Sequence, residues 1–362
     1  MNQKSLEIVS AQKKQGKGII GCFPLYPPVE LFASMNLHPI VLWHLRASIH
    51  SLIESDQHIQ DYACSIAREL VQFVLSGPED LLDAIYSYNA CDTLRNIPEI
   101  LHILNIPMLR MHVPQINQTQ CQSNQYLARE LANLIKATED AFSVQFSPEK
   151  FIQSIDDYTK MRDLCQLAEK RVAQGLLSFD SFCRVVLSGY FFPIKEQITN
   201  LQALTGQSDN NISTNKKVFL SGIMPPPSPI IRAIEKAGMC VVGNDIASLH
   251  RNYAYSPKPT ENPGEYYTDL FQNRFPCTTL LYKSDERVNT FCHIVAQSEA
   301  KGVIFVGEKF CEYEYFEFPY MEKRLKDMDV RTLLLEFAVN DAHHLDAYIT
   351  RIQAFSEMLN NK

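Results

Sequence analysis

Ten cysteines in a chain of 362 residues are the side chains best suited to chemistry here. They are scattered singly, with no Cys-x-x-Cys, which disfavours a zinc ribbon or a thioredoxin-like site. Three fall where chemistry is often found. Cys91, in Tyr88-Asn89-Ala90-Cys91-Asp92-Thr93, follows an expected strand and precedes an expected helix. Cys311, closing Gly307-Glu308-Lys309-Phe310-Cys311, has the equivalent place in the second half of the chain. Ligands of open α/β sheets gather beyond the carboxyl ends of the strands. Cys64 is expected within the first turns of a helix, where the positive end of the dipole favours a thiolate. Thiolates are soft ligands that suit an iron–sulfur cluster, and three of them leave one iron open to another ligand. Taken singly, each cysteine reads equally as a small buried hydrophobe. Spacing alone does not choose between these readings.

The elements that must position these residues follow from apolar periodicity. Ile19–Phe23, Pro39–Trp43, Ala84–Tyr88 and Pro107–Val113 read as strands. Between them lie helical patterns over Val29–Leu37, Asp61–Ser76 (stopped by Gly77-Pro78) and Leu94–Leu104. Alternation of this kind predicts a parallel, doubly wound sheet. Long helical periods replace it from about Asn124 to Leu204, and Gln207–Asn215 is polar enough to be a linker. Strands return at Lys217–Gly222, Cys240–Val242, Val303–Val306 and Arg331–Leu335, with helices at Ile230–Gly238, Tyr320–Met328 and His343–Met358. The expected fold class is α/β, two Rossmann-like parallel-sheet lobes with a helical middle region. Its expected divisions are 1–123 (with Cys64 and Cys91), 124–206, and 207–362 (with Cys311 and a terminal helix).

A net charge of −7 argues against nucleic-acid binding, which needs a basic surface. No run of about eighteen apolar residues occurs, so no membrane span is expected. The polar N-terminus lacks the apolar core of a signal peptide, and a cytoplasmic location is expected. Neither a G-x-x-x-x-G-K-[ST] loop nor a G-x-G-x-x-G after a strand is present, so nucleotide-driven chemistry would have to come from elsewhere.

Several segments, in order along almost the whole chain, resemble the 2-hydroxyacyl-CoA dehydratase (D component) and benzoyl-CoA reductase family. Tyr26, Pro28, Glu30 and Leu31 match its N-terminal segment. Ala63-Cys64-Ser65 and Asn89–Arg95 look like its first two cluster-cysteine regions, and Gly302–Cys311 like the third. Thr350–Glu357 is similar to its closing helix. The resemblance implies an oxygen-sensitive subunit holding a [4Fe–4S] cluster on Cys64, Cys91 and Cys311, in the cleft between the lobes. It also implies a related subunit, or a second copy, as partner, and a separate ATP-hydrolysing iron–sulfur activator that injects an electron. The implied substrate is an acyl-CoA, dehydrated through a ketyl radical or reduced. Some relatives carry a double-cubane [8Fe–9S] cluster and reduce small molecules without CoA, and a non-catalytic partner subunit is a further alternative. Two places depart from the family pattern, at Leu335-Glu336-Phe337 and Asp341–Leu345, near where substrate or partner contacts are expected.

Glu30 has two readings, an acid close to the cluster with a catalytic part or simply the start of a helix. His343 and His344 are adjacent and make a poor chelate, as expected of surface residues at a helix start. Glu312–Phe318 alternates acids with aromatics, as a half-buried strand edge or a partner surface would. Cys22 is expected to be a buried thiol beside a strand.

Overall fold

The computed structural model describes residues 2–23, 25–42, 49, 51–78, 80–114, 121–207, 216–280, 284–337 and 345–360. Its contacts divide the chain into two compact units. One comprises Met1–Arg162, Ser188–Ile198 and Tyr255–Arg274, the other Asp163–Leu187, Thr199–Ala254 and Phe275–Lys362.

The first part of the chain forms α1 (Asn2–Lys14), β1 (Ile19–Cys22), α2 (Val29–Ser34), β2 (His38–Val41), α3 (Ser65–Ser76), β3 (Ala84–Tyr88), α4 (Asp92–Ile100) and β4 (Met108–Met111). A helical stretch follows, with α5 (Cys121–Phe142), α6 (Pro148–Ala173), α7 (Phe179–Ser188) and α8 (Ile194–Gly206). Then come β5 (Lys216–Gly222), α9 (Ser228–Lys236), β6 (Met239–Asn244), α10 (His250–Tyr253), α11 (Pro263–Asn273) and α12 (Ser284–Ser298). The chain ends with β7 (Gly302–Glu308), α13 (Glu312–Asp327), β8 (Arg331–Phe337) and α14 (Leu345–Met358).

Both sheets are parallel and share one topology, β2-β1-β3-β4 in the first unit and β6-β5-β7-β8 in the second. The α/β class and its two sheets agree with expectation. Central strands β1, β3 and β7 are buried along their whole length, as parallel strands covered on both faces must be. The edge strands β4 and β8 are only partly covered. In each sheet the order reverses between the first and third strands, so their carboxyl ends open on a crevice. Gly222 closes β5 at that point because a Cβ there would lie 2.4 Å from the Val306 carbonyl oxygen.

Local differences from expectation have local causes. The helix expected from Asp61 starts at Ser65. Arg68 holds the preceding segment back along its flank, donating to the Asp56 carboxylate at 3.1 Å and to the Asp61 carbonyl at 3.3 Å. Gln72 adds a bond from the Ser55 N–H at 3.0 Å. The helix expected over Leu94–Leu104 starts at Asp92 and ends at Ile100, with a 3₁₀ turn over Leu101–Ile103. The acid–aromatic run Glu312–Phe318 is helical, which corrects the strand-edge reading. Trp43, residues 208–215 of the expected linker, and His343 with His344 lie outside the described residues.

His38, at the start of β2, is buried and its Nε2–H donates to the Phe191 carbonyl at 3.0 Å. Burial lowers its pKa to about 4, against the pull of that carbonyl and with a small push from Lys17. The unfolded chain binds this proton near pH 6.5, whereas the folded one does not, so stability falls as pH drops from 6.5 towards 4. The drop is worth about 3 kcal/mol if the shift is fully realised. NMR of the His38 ring should show a neutral imidazole down to pH 5; a midpoint near 6.5 would contradict this assignment.

Candidate functional site

In the first unit, Cys64 and Cys91 each stand immediately before a helix. Cys64 is the N-cap of α3, with extended backbone (φ −58°, ψ 143°). Cys91 is the N-cap of α4 (φ −151°, ψ 171°), and its Sγ accepts the Leu94 N–H at 3.4 Å. In the second unit Cys311 is the N-cap of α13 (φ −82°, ψ 96°). Cys64 was expected inside its helix and is instead the residue before it. This position suits a ligand better, because an N-cap side chain faces the unsatisfied N–H groups of the first turn. There the helix dipole stabilises negative charge, and so the thiolate.

Burial separates these three from the rest. Among the nine described cysteines, Cys64, Cys91 and Cys311 are part-exposed, and Cys22, Cys165, Cys183, Cys240, Cys277 and Cys292 are buried. Burial pushes the thiols of Cys22, Cys183, Cys240 and Cys292 upward, which keeps them protonated and poor ligands. Cys22 is a buried thiol on β1, as expected. Cys121 has no described side chain.

Cys91 and Cys311 occupy equivalent points of their units. Each is the third residue beyond the third strand of its sheet, next to the point where strand order reverses. Side chains that sequence reasoning did not single out fasten both loops. Asn89 donates to the Val113 carbonyl at 3.0 Å and accepts the Val113 N–H at 2.7 Å, tying the Cys91 loop to the segment just beyond β4. Glu314 accepts the N–H groups of Ile223 (2.6 Å) and Glu308 (2.8 Å) on the Cys311 side. Desolvation pushes Glu314 up to about 7, against those two N–H groups. A visible signal for it was the spacing Cys311-x-x-Glu314, which parallels a capping box.

Glu30 begins α2 just after the loop that follows β1, and only 1% of its surface is exposed. Its carboxylate pairs with Arg162 and accepts from the hydroxyls of Tyr266 (3.1 Å) and Tyr267 (3.0 Å). Arg162 also donates to the Tyr266 hydroxyl at 3.2 Å. Burial opposes charge on Arg162, but the Glu30 carboxylate and the Tyr266 hydroxyl, with their hydrogen bonds, together outweigh it and hold the guanidinium above its usual range. In the loop ahead of α2, Leu25 and Tyr26 are buried with left-handed backbone (φ 67° and 53°). Such geometry costs roughly 1–2 kcal/mol per residue. Arg274 lies 3.2 Å over the Tyr26 ring and helps to hold it. Arg162, Tyr266, Tyr267 and Arg274 carried no signal in the sequence, since they reach this place through distant parts of the chain.

Among the described residues, neither unit by itself gathers three His, Cys, Asp or Glu side chains into a metal site. Cys64 and Cys91 belong to one unit and Cys311 to the other.

The chain is thus an α/β protein with two parallel sheets and part-exposed cysteines at the N-caps of α3, α4 and α13. The chain belongs to the 2-hydroxyglutaryl-CoA dehydratase, D-component family, which matches it over residues 24–359. Similar proteins include the (R)-phenyllactyl-CoA dehydratase beta subunit of Clostridium sporogenes, 27% identical over 97% of this chain and 94% of the relative. The beta subunit of the (R)-2-hydroxyglutaryl-CoA dehydratase of Acidaminococcus fermentans is 24% identical, over 93% of this chain and 88% of the relative. A subunit of the benzoyl-CoA reductase of Thauera aromatica is 23% identical, over 89% of this chain and 86% of the relative. Among the described residues no helix is long and apolar enough to cross a membrane.

Proposed function

We propose that this chain is the cluster-binding subunit of an enzyme that dehydrates a 2-hydroxyacyl-CoA or reduces an acyl-CoA. Cys64, Cys91 and Cys311 would hold one [4Fe–4S] cluster. One observation carries the assignment: among the described cysteines, these are the three that are both part-exposed and placed at helix N-termini. Their donor chemistry fits, since three soft thiolates complete all but one of the ligand positions of a cubane. When bound, the cluster supplies one-electron chemistry at low potential and one iron without a cysteine ligand.

The protein's own part is to hold and shield. All three cysteines stand at the positive end of a helix dipole, which favours the thiolate and so ligation, and Cys91 Sγ also accepts the Leu94 N–H. Asn89 and Glu314 fix the loops that carry Cys91 and Cys311. Glu30 anchors α2 behind the strained Leu25-Tyr26 loop at the carboxyl end of β1, and in this proposal it serves the site by positioning that loop. The relatives named as beta subunits support a related partner subunit. The electron would come from a separate ATP-hydrolysing activator, consistent with the lack of a phosphate-binding loop in this sequence.

An anaerobic assay with candidate acyl-CoAs tests this, omitting in turn the partner subunit, the activator, ATP and the reductant. Turnover should require all four. Sustained turnover by the lone chain without ATP would overturn the proposal. Reduction of a small molecule by the complete system, with every acyl-CoA ignored, would favour the double-cubane reading instead.

A further inference from the structure

The turn that carries Cys311 is at odds with its own sequence. Cys311 N–H bonds to the Glu308 carbonyl at 2.9 Å and closes the turn Glu308–Cys311. Inside it Phe310 adopts left-handed backbone (φ 64°) with 56% of its surface exposed. Glycine is the residue that takes such a φ without strain, and a bulky side chain there is unfavourable. Exposure denies Phe310 the burial that would offset the strain. Ties from outside must therefore hold the turn in shape. One is the Lys309 N–H, which donates to the Phe337 carbonyl at 2.8 Å.

The other tie is Glu314, and its arrangement departs from the usual one. In a capping box the acid at the third helical position reaches back to the N-cap N–H. Here that N–H is already committed to Glu308, and the Glu314 carboxylate goes elsewhere. One oxygen accepts the Ile223 N–H (2.6 Å) just beyond β5, and the other accepts the Glu308 N–H (2.8 Å) at the end of β7. The same carboxylate shares a hydrogen bond with the Cys311 side chain. A single carboxylate thus joins the ends of two neighbouring strands to the cysteine between them.

We propose that Glu314 is the positioning residue of Cys311, locking a strained turn so that the thiol is already set for ligation before a cluster is inserted. The inference rests on the reading of Cys311 as a cluster ligand. A carboxamide cannot reproduce this clamp, because its –NH2 end would face a backbone N–H and accept nothing. An aspartate is one methylene shorter and cannot span both N–H groups.

The test uses the full chain, prepared anaerobically, as wild type, Glu314→Gln, Glu314→Gln with Phe310→Gly, and Cys311→Ala. The first readout needs no cluster: the rate at which iodoacetamide alkylates Cys311 in apo-protein, followed by peptide mass spectrometry. In Glu314→Gln it should rise several-fold while Cys64 and Cys91 keep their wild-type rates. After reconstitution, the same variant should retain several-fold less iron and show a broadened EPR signal when reduced. Adding Phe310→Gly should restore most of both, because the turn no longer needs holding. A loss of general stability would not be rescued at that one position. If Glu314→Gln does not fold, Glu314→Asp replaces it, with the same directions expected. Wild-type alkylation, iron and EPR in the Glu314 variant, beside iron loss in Cys311→Ala, would overturn the inference and leave the cluster reading intact. Iron retained by Cys311→Ala would instead overturn that reading, while the alkylation rates still decide the role of Glu314.

Discussion

Alanine at Cys64, Cys91 or Cys311 should bring the iron and acid-labile sulfide of the anaerobically isolated protein from about four of each per chain to below one. In the proposed site, each substitution would remove one of the three protein sulfurs that hold the cluster. Alanine at Cys165 should leave the iron unchanged, because that thiol is 1% exposed and belongs to the core around α6. The comparison separates ligation from packing. Truncating a buried thiol costs stability through the cavity it leaves, and truncating a part-exposed N-cap costs little beyond the cap itself. Iron analysis, with far-ultraviolet circular dichroism to confirm folding, gives the result. A colourless, iron-free wild-type preparation with intact fold would defeat the assignment, and so would iron fully retained by any one of the three variants.

The largest expected loss of stability comes from Glu30. In Glu30→Ala the Arg162 guanidinium, 5% exposed, would stay in the interior of its unit with no carboxylate beside it. The hydroxyls of Tyr266 and Tyr267 would lose their acceptor as well. Breaking a buried ion pair from one side typically costs 3–5 kcal/mol, so a drop of about 4 kcal/mol is expected in urea unfolding. Replacing both partners, as Glu30→Leu with Arg162→Met, should recover much of it, since no charge is then stranded. A single-variant loss under about 1 kcal/mol would show that water reaches the guanidinium and that the pair is not buried in solution.

The two sheets were legible because parallel strands covered on both faces appear as unbroken apolar runs. Ala84–Tyr88 has the expected limits, and β1, β5 and β7 differ from expectation only at their ends. The start of α13 was hidden for a specific reason. Its inward stripe begins with the half-buried Glu314, Glu317 and Phe318 before reaching the buried Met321 and Leu325, so the first two turns place acids where periodicity looks for apolar residues. Glu317 lies 3.7 Å from Arg287 there, and Phe318 packs on Phe305 with ring centroids 4.8 Å apart. Cys91 and Cys311 were visible through their place after strands, Cys64 through its place near the start of a helix, and all three through their resemblance to known segments. Their supports were not, because Asn89, Glu314 and Arg162 work through backbone groups or partners that only the fold brings near.

The Glu30 cluster also constrains when the first unit can be completed during synthesis. Its acid is made early, but the two tyrosine hydroxyls that satisfy it come 236 and 237 residues later. At 5–20 residues per second the ribosome needs roughly 12–47 s to supply them. Until then the nascent chain must carry an incompletely satisfied carboxylate, or keep α2 undocked with the apolar face of its sheet uncovered. The first unit is therefore completed only after α11 has emerged, and not at the point where α4 does.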